Sequence, residues 1–299
     1  MKPFLLKVFI FLLPVCFLTV AVELQLRSIP NVYSLKKTQL DNLSEEMEIL
    51  CLGSSHAFFG INPVCFSKKA YNAANVSQTF DYDQKILEKY IDQMPALKTV
   101  LITVSYSSFF EAMEDSEEVW RKKYYALSMK IGEPDIFEDY LLFSNDRQEI
   151  IPYWLRKRKT LPINDLGFGI IDSSQRKSDF FEKNGVITAK RHTISNLDFR
   201  QKDMRNILEN MILLCESRNV SVVLLITPTH QSYRNKLNQQ QLDLMYALID
   251  TVKQHHYQVI VFDAFADPDF VSSDFSDSDH MSGTGARNLT KKLDRFLQD

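Results

Sequence analysis

Apolar positions fall into distinct regimes along this chain. From Phe4 to Val22 they are almost continuous, and no charge interrupts Val8–Val22. Further on, short runs rich in Val, Ile and Leu alternate with longer segments whose apolar side chains recur at helical spacing. Glu48–Leu52, Lys98–Val104, Ser221–Thr227 and Tyr257–Asp263 read as strands buried on both faces, the pattern of a parallel sheet, and a weaker strand precedes Asn75. Thr79–Gln93, Asp198–Arg218, Gln239–Gln254 and Gly283–Leu297 are predicted helices. In the second, Ile207, Leu208, Met211, Ile212 and Cys215 share one face. This alternation predicts an α/β fold, a three-layer sandwich around a parallel central sheet.

The N-terminal run is long enough to matter. At about 1.5 Å per residue, Phe4–Val22 extends about 28 Å, the thickness of a bilayer core. Lys7 can snorkel toward headgroups and Pro14 is tolerated in a span. We expect residues 1–24 to be a single-pass membrane anchor, because no small-residue cleavage site comes after it. A cleaved signal peptide is the alternative. A lipidated Cys16 would need a smaller neighbour than Val15. Lys2 and Lys7 precede the span while Arg27, Lys36 and Lys37 lie beyond it, so loop charge does not fix orientation. Short N-terminal anchors generally export the domain attached to them, so the large domain is expected outside the cytoplasm. Residues 25–46 then form a polar connector, and 47–299 one domain with an aromatic-rich insertion at about 107–196 covering the sheet's C-terminal edge. Most of its aromatics, Phe109, Phe110, Trp120, Tyr124, Tyr125, Tyr140, Phe143, Tyr153 and Trp154 among them, are expected in the core, with a few free to line a carbohydrate or lipid groove.

Composition narrows the field. The chain has 299 residues and a formal net charge of −3, which gives no reason to expect a nucleic-acid partner. The one dense basic run, Arg156-Lys157-Arg158-Lys159, reads as a solvated face, with contact to anionic lipid or polymer as the lesser alternative. The four cysteines, Cys16, Cys51, Cys65 and Cys215, form no C-x-x-C pair, so neither a disulfide scaffold nor structural zinc is expected. His255-His256 has no carboxylate or cysteine at ligand spacing and, if extended, would point to opposite sides. No metal and no cofactor is expected.

Candidate chemistry sits at the two ends of the domain. Gly53-Ser54-Ser55-His56 comes directly after the first predicted strand, and Asp277-Ser278-Asp279-His280 precedes the last helix. Ligands of open parallel sheets bind beyond the carboxyl ends of strands. A glycine there allows a sharp turn, after which a serine can expose its hydroxyl with its own N–H facing a developing oxyanion. The hydroxyl needs a base, commonly histidine, and the histidine needs a carboxylate to orient it. Asp277 and His280 stand at i and i+3, so a helical turn would set them on one side. Gly-Ser-Ser is also common in loops, and Asp-x-x-His arises by chance. His56 and Asp279 are alternative candidates for the relevant neighbours, or simply surface residues.

Together these blocks resemble the SGNH (GDSL-like) hydrolase superfamily, and within it the membrane-anchored branch of D-alanine-transfer and polysaccharide O-acetylation proteins, whose first block reads Gly-Ser-Ser. The resemblance runs through Leu52-Gly53-Ser54-Ser55-His56-Ala57-Phe58-Phe59-Gly60-Ile61-Asn62-Pro63, Tyr71-Asn72-Ala73-Ala74-Asn75-Val76-Ser77-Gln78, Ile226-Thr227-Pro228-Thr229-His230 and Asp277-Ser278-Asp279-His280-Met281 with Gly285-Ala286. It covers about 48–299 and is weakest in the middle. It implies a flavodoxin-like SGNH sandwich with Ser55 as nucleophile, His280 as base and Asp277 as orienter. It further implies Asn75 as an oxyanion donor, and His56 and His230 as residues that touch substrate. For His230, a loop histidine after a strand is an equal reading. Where the family's third block carries Gly-x-Asn, this chain reads Val104-Ser105-Tyr106-Ser107. The implied activity is an extracytoplasmic serine esterase or O-acyltransferase on acyl esters of cell-envelope glycans, with a membrane-bound acyltransferase as partner. The alternative is a non-catalytic anchored subunit of such a system.

Overall fold

Strand β1 (Ile49–Leu52) is buried along its whole length and has a parallel neighbour on each side. The computed structural model describes residues 2–133, 162–171 and 178–298. The basic run 156–159 and the aromatics Tyr140, Phe143, Tyr153 and Trp154 lie outside them. The described residues divide into two compact units, one from 1–37 and 121–161, the other from 38–120 and 162–299.

In the first unit, α1 (Lys2–Arg27) is long and apolar enough to cross a membrane, and nearly all of its side chains are exposed. The helix does not stop at Val22. It continues for a further turn, where Glu23 accepts from Arg27 at 2.8 Å. Tyr33 stacks on Tyr124 and meets Tyr125 edge-on, and the Asn31 amide donates to Ser128 Oγ. The expected connector is partly helical, since α2 occupies Val32–Leu43. Its polar composition hid three buried side chains on one face, Tyr33, Lys36 and Leu40.

The second unit holds a five-stranded parallel sheet in the order β2-β1-β3-β4-β5, where β2 is Ala70–Asn72, β3 Thr99–Thr103, β4 Ser221–Ile226 and β5 Ile260–Asp263. Cys51 pairs with Leu101, Leu101 with Val223, and Val223 with Ile260. With this strand order, the rule that such crossovers are right-handed puts helices on both faces. On one side α4 (Phe80–Tyr90) packs on α6 (Gln201–Glu216), and α6 on α8 (Gln239–His255). On the other, α9 (Gly283–Phe296) packs on α3 (Ser55–Gly60). The remaining helices are α5 (Ser178–His192) and α7 (Gln231–Arg234). The apolar face read on α6 is buried at Leu208, Met211, Ile212 and Cys215. His255-His256 closes α8 rather than lying in a strand; His255 pairs with Glu209, and His256 with Glu216.

This order puts the reversal of winding between β1 and β3, where a crevice opens at the strands' carboxyl ends. The turn out of β1 is firmly held there. Gly53 adopts φ +129, a backbone region closed to L side chains. Its N–H donates to Asp83 Oδ1 at 2.8 Å, and its carbonyl accepts from Asn75 N at 3.3 Å. The buried Asn72 amide donates to the carbonyls of Ala57 and Ile61, both at 2.8 Å, and so fastens α3 to the end of β2. From the insertion, Gly169 N donates to Phe58 O and Asn72 N to Leu166 O. A Cβ at Gly53 would lie 2.7 Å from Thr103 Cβ. Gly53→Ala is therefore expected to cost about 1–3 kcal/mol, from the forced φ and the collision together. Denaturant unfolding of the full chain in detergent checks this.

Candidate active site

The turn at Gly53 delivers Ser55 to the first position of α3. An amide at that position has no intrahelical acceptor, so the Ser55 N–H is free to face an anion beside its own hydroxyl. Across the crevice, the segment leading into α9 is closed by an antiparallel bridge between Phe275 and Met281. Asp277 and His280 do not lie in a helical turn, as the spacing suggested. Instead Asp277 Oδ1 accepts from the backbone N–H of Asp279 at 3.1 Å and of His280 at 2.8 Å, an Asx-type turn. The turn is anchored by Ser278, whose N–H donates to Asn184 Oδ1 and whose carbonyl accepts from His230 N. Ser282 caps α9 by accepting from Gly285 N.

Both ends of the domain meet here. His280 Nε2 lies 2.8 Å from Ser55 Oγ, and His280 Nδ1 lies 2.9 and 3.1 Å from the two oxygens of Asp277. A carboxylate can only accept, so Nδ1 carries the hydrogen. In the neutral ring Nε2 is then bare and accepts from the serine hydroxyl. Phe59 and His56 flank the imidazole edge-on, at 5.5 and 5.6 Å between ring centroids.

Charge in the crevice is unevenly spread. Asp279 is 2% exposed; its Oδ2 accepts from His56 Nε2 at 3.3 Å and its Oδ1 lies 3.7 Å from His280 Nδ1. Burial would lower the His280 pKa, but the Asp279 charge and the Asp277 hydrogen bond override it and raise the value to about 9. Burial would raise Asp279, yet the His280 charge and the His56 hydrogen bond hold it far below the usual carboxylate range. His192, whose Nδ1 lies 2.9 Å from Tyr233 Oη, is driven down to about 4, chiefly by burial. His56, Asp279 and His280 bring donor atoms within 4.8 Å of one another. Each already faces a protein partner, and we read the cluster as a charge–imidazole network.

The crevice is a cleft of about 410 Å³. Ser55, His56 and His280 line it, along with hydroxyls from Ser77, Ser105, Ser107 and Ser108. Asn75 does not line it: this buried side chain donates to Gln78 Oε1 at 3.1 Å, and Val76 and Ser77 form the wall instead, Ser77 at φ 57. His230 does not reach it either. Its ring caps α7 by accepting from Ser232 N, lies 2.9 Å from Ser272 Oγ and stacks on Phe181. Its backbone N–H, not its ring, serves the site. In the segment after β3, Ser105 N donates to Ser108 Oγ.

Sequence reasoning missed Arg191 and His192, which the end of α5 brings into the cleft. Nothing in the order of residues marks them, because only packing carries that helix end to the crevice. It also missed Asp83, which accepts from both Gly53 N and Gln78 Nε2, the latter at 2.6 Å.

No family model matches the sequence, and no curated protein matches it. Among solved structures the chain is similar to a provisional platelet activating factor from Streptococcus pneumonia (13% identity, 88% of this chain and 91% of that one, TM-score 0.45). It is similar also to a lipase/acylhydrolase from Enterococcus faecalis (14% identity, 84% and 96%, TM-score 0.42). A third is a provisional acylhydrolase from Bacteroides fragilis NCTC 9343 (9% identity, 88% and 95%, TM-score 0.43).

The Asp83 carboxyl offers a test of the turn. Burial pushes its pKa from 3.8 up to about 7, against the hydrogen bonds from Gln78 and Gly53. A folded value above the unfolded one means that its contribution is whole below about pH 4 and is lost as pH rises to about 7. Asp83→Asn keeps an Oδ1 that accepts both bonds and cannot ionise. The variant should unfold at a higher temperature than the native chain at about pH 8, with the difference gone near pH 4. Thermal unfolding at both pH values checks this.

Proposed function

We propose that this chain is a serine esterase or O-acyltransferase of the SGNH type. It acts on small acyl esters of cell-envelope glycans, is anchored by α1, and carries its catalytic domain outside the cytoplasm. One observation carries the reading: Ser55 Oγ sits 2.8 Å from His280 Nε2 while Asp277 holds the opposite nitrogen at 2.9 Å. That is the geometry of a hydroxyl made nucleophilic by an oriented base.

The steps of this reading follow from that arrangement. His280 Nε2 takes the Ser55 proton as Oγ attacks the ester carbonyl. The new oxyanion lies toward the Ser55 N–H and the wall at Val76 and Ser77. His280 returns the proton to the departing alcohol, leaving acyl-Ser55. Water or a sugar hydroxyl, deprotonated by the same nitrogen, then displaces the acyl group and restores Ser55. Asp277 keeps the tautomer through both halves. No metal or cofactor takes part in these steps. The hydroxyl-rich lining of the cleft supports a hydrophilic acceptor, with His56 at its edge. A membrane-bound acyltransferase would supply the acyl group.

A second reading, a non-catalytic anchored subunit, is favoured by one feature: the Asn75 amide is spent on Gln78, and the third block offers no asparagine. Labelling the full chain in detergent with a fluorophosphonate separates the two. The native protein should label and Ser55→Ala should not. His280→Gln should slow labelling by about a thousand-fold or more. Equal labelling of native chain and Ser55→Ala, with no cleavage of p-nitrophenyl acetate by either, favours the non-catalytic subunit. Because His280 must be neutral to accept a proton, the labelling rate should climb as pH rises through about 9.

A further inference from the structure

Asp279 takes no step in the mechanism above, yet of the two carboxylates beside His280 it is the more deeply buried. Its side chain is 2% exposed, against 23% for Asp277. Asp277 already accepts two backbone N–H groups besides the imidazole, so its charge is shared and partly solvated. Among the described residues, Asp279 has only imidazoles as ion-pair partners: His56 at 3.3 Å and His280 at 3.7 Å. A buried carboxylate without a permanent cation is costly unless a neighbour takes up a proton.

We propose that Asp279 is a positioning residue that supplies the buried negative charge holding a proton on His280, and that His56 fixes its carboxylate for that task. The proposal rests on the esterase reading and assigns the two carboxylates different work. Asp277 sets the tautomer through a direct hydrogen bond. Asp279, just out of hydrogen-bond reach of the same nitrogen, acts through space in a poorly solvated place, where a charge is felt strongly. The result is a stronger base than an ordinary histidine, suited to drawing a proton from an alcohol, at the cost of a working range displaced to alkaline pH. His56 is the residue after Ser55 in α3 and reaches Asp279, so the helix that carries the nucleophile also holds this charge.

The groups facing His280 are countable. Ser55 and His56 come from α3, and Asp277 and Asp279 from its own turn. Arg191 and His192 come from the end of α5, with Tyr233 of α7 behind His192. Arg191 opposes protonation of His280 and the two carboxylates favour it. Removing Asp279 leaves one carboxylate against a guanidinium.

The test uses the full chain in detergent micelles, with histidine-selective 15N NMR titration. The His280 signal is assigned by its loss in His280→Gln. Native protein is compared with Asp279→Asn and with the double variant Asp279→Asn/His56→Gln, which pairs one amide with another so that folding does not depend on an imidazole facing a neutral group. Both should lower the His280 midpoint by about one to three pH units. The fluorophosphonate profile should move acidward by the same amount, with a lower plateau, as expected of a weaker base. A purely structural role would lower the plateau and leave the midpoint in place, and a midpoint equal to the native one in both variants overturns the proposal. Unlabelled Ser55 with a midpoint that still falls would remove the esterase reading while Asp279 keeps its charge role. Labelling at Ser55 with an unmoved midpoint would do the reverse.

Discussion

Parallel strands cannot be joined by hairpins. Each needs a crossover, and the direction of winding changes once, between β1 and β3. That change opens a crevice at the carboxyl end of β1, and Ser55, Asp277 and His280 converge there. The turn after β1 then has little freedom. Asp83 and Asn75 hold both polar groups of Gly53, and Asn72 ties the next helix to the neighbouring strand. Ser55 inherits its position from these bonds, and the loop before α9 meets it because α9 packs on α3.

Two buried carboxyls show how surroundings decide ionisation. Asp83 and Asp279 are both almost inaccessible to solvent. Around Asp83 stand an amide, a backbone N–H and another carboxylate, Asp81, so burial prevails and its pKa rises to about 7. Around Asp279 stand imidazoles, and the His280 charge and the His56 hydrogen bond outweigh the same burial. The first can stand neutral and serve as scaffolding. The second stays ionised and lends its charge to a base. Burial removes the solvent and the neighbours choose the sign.

The walls of the cleft divide along similar lines. The buried Asn75 amide is bonded to Gln78, while the serines after β3 present hydroxyls to the cleft. A donor that satisfies the scaffold is not at the same time free for a substrate. The side-chain amide implied by the family pattern is used in this way, which leaves backbone N–H groups and hydroxyls as the available donors.

The order of residues gave the sheet and its principal helices, because strands buried on both faces, as β1, β3 and β4 are, must be apolar throughout and amphipathic helices must repeat near 3.6; the run Tyr257–Asp263, read as buried on both faces, is instead the edge strand β5 from Ile260, exposed along most of its length. It also picked out Ser55, Asp277 and His280, since that chemistry needs particular residue types beside strand ends. It read 25–46 only as a polar connector, because a helix with only a few buried positions, as in Val32–Leu43, carries a weak periodic signal. It placed Asp277 and His280 in a helical turn because spacing alone does not distinguish such a turn from one made by an Asp side chain accepting backbone N–H groups. Which way Asn75 and His230 point, which helix end supplies Arg191 and His192, and which of two nearby aspartates is buried were decided by contacts between segments far apart in sequence. Such contacts set side-chain direction and solvent access, and neither is written in the spacing of a local motif.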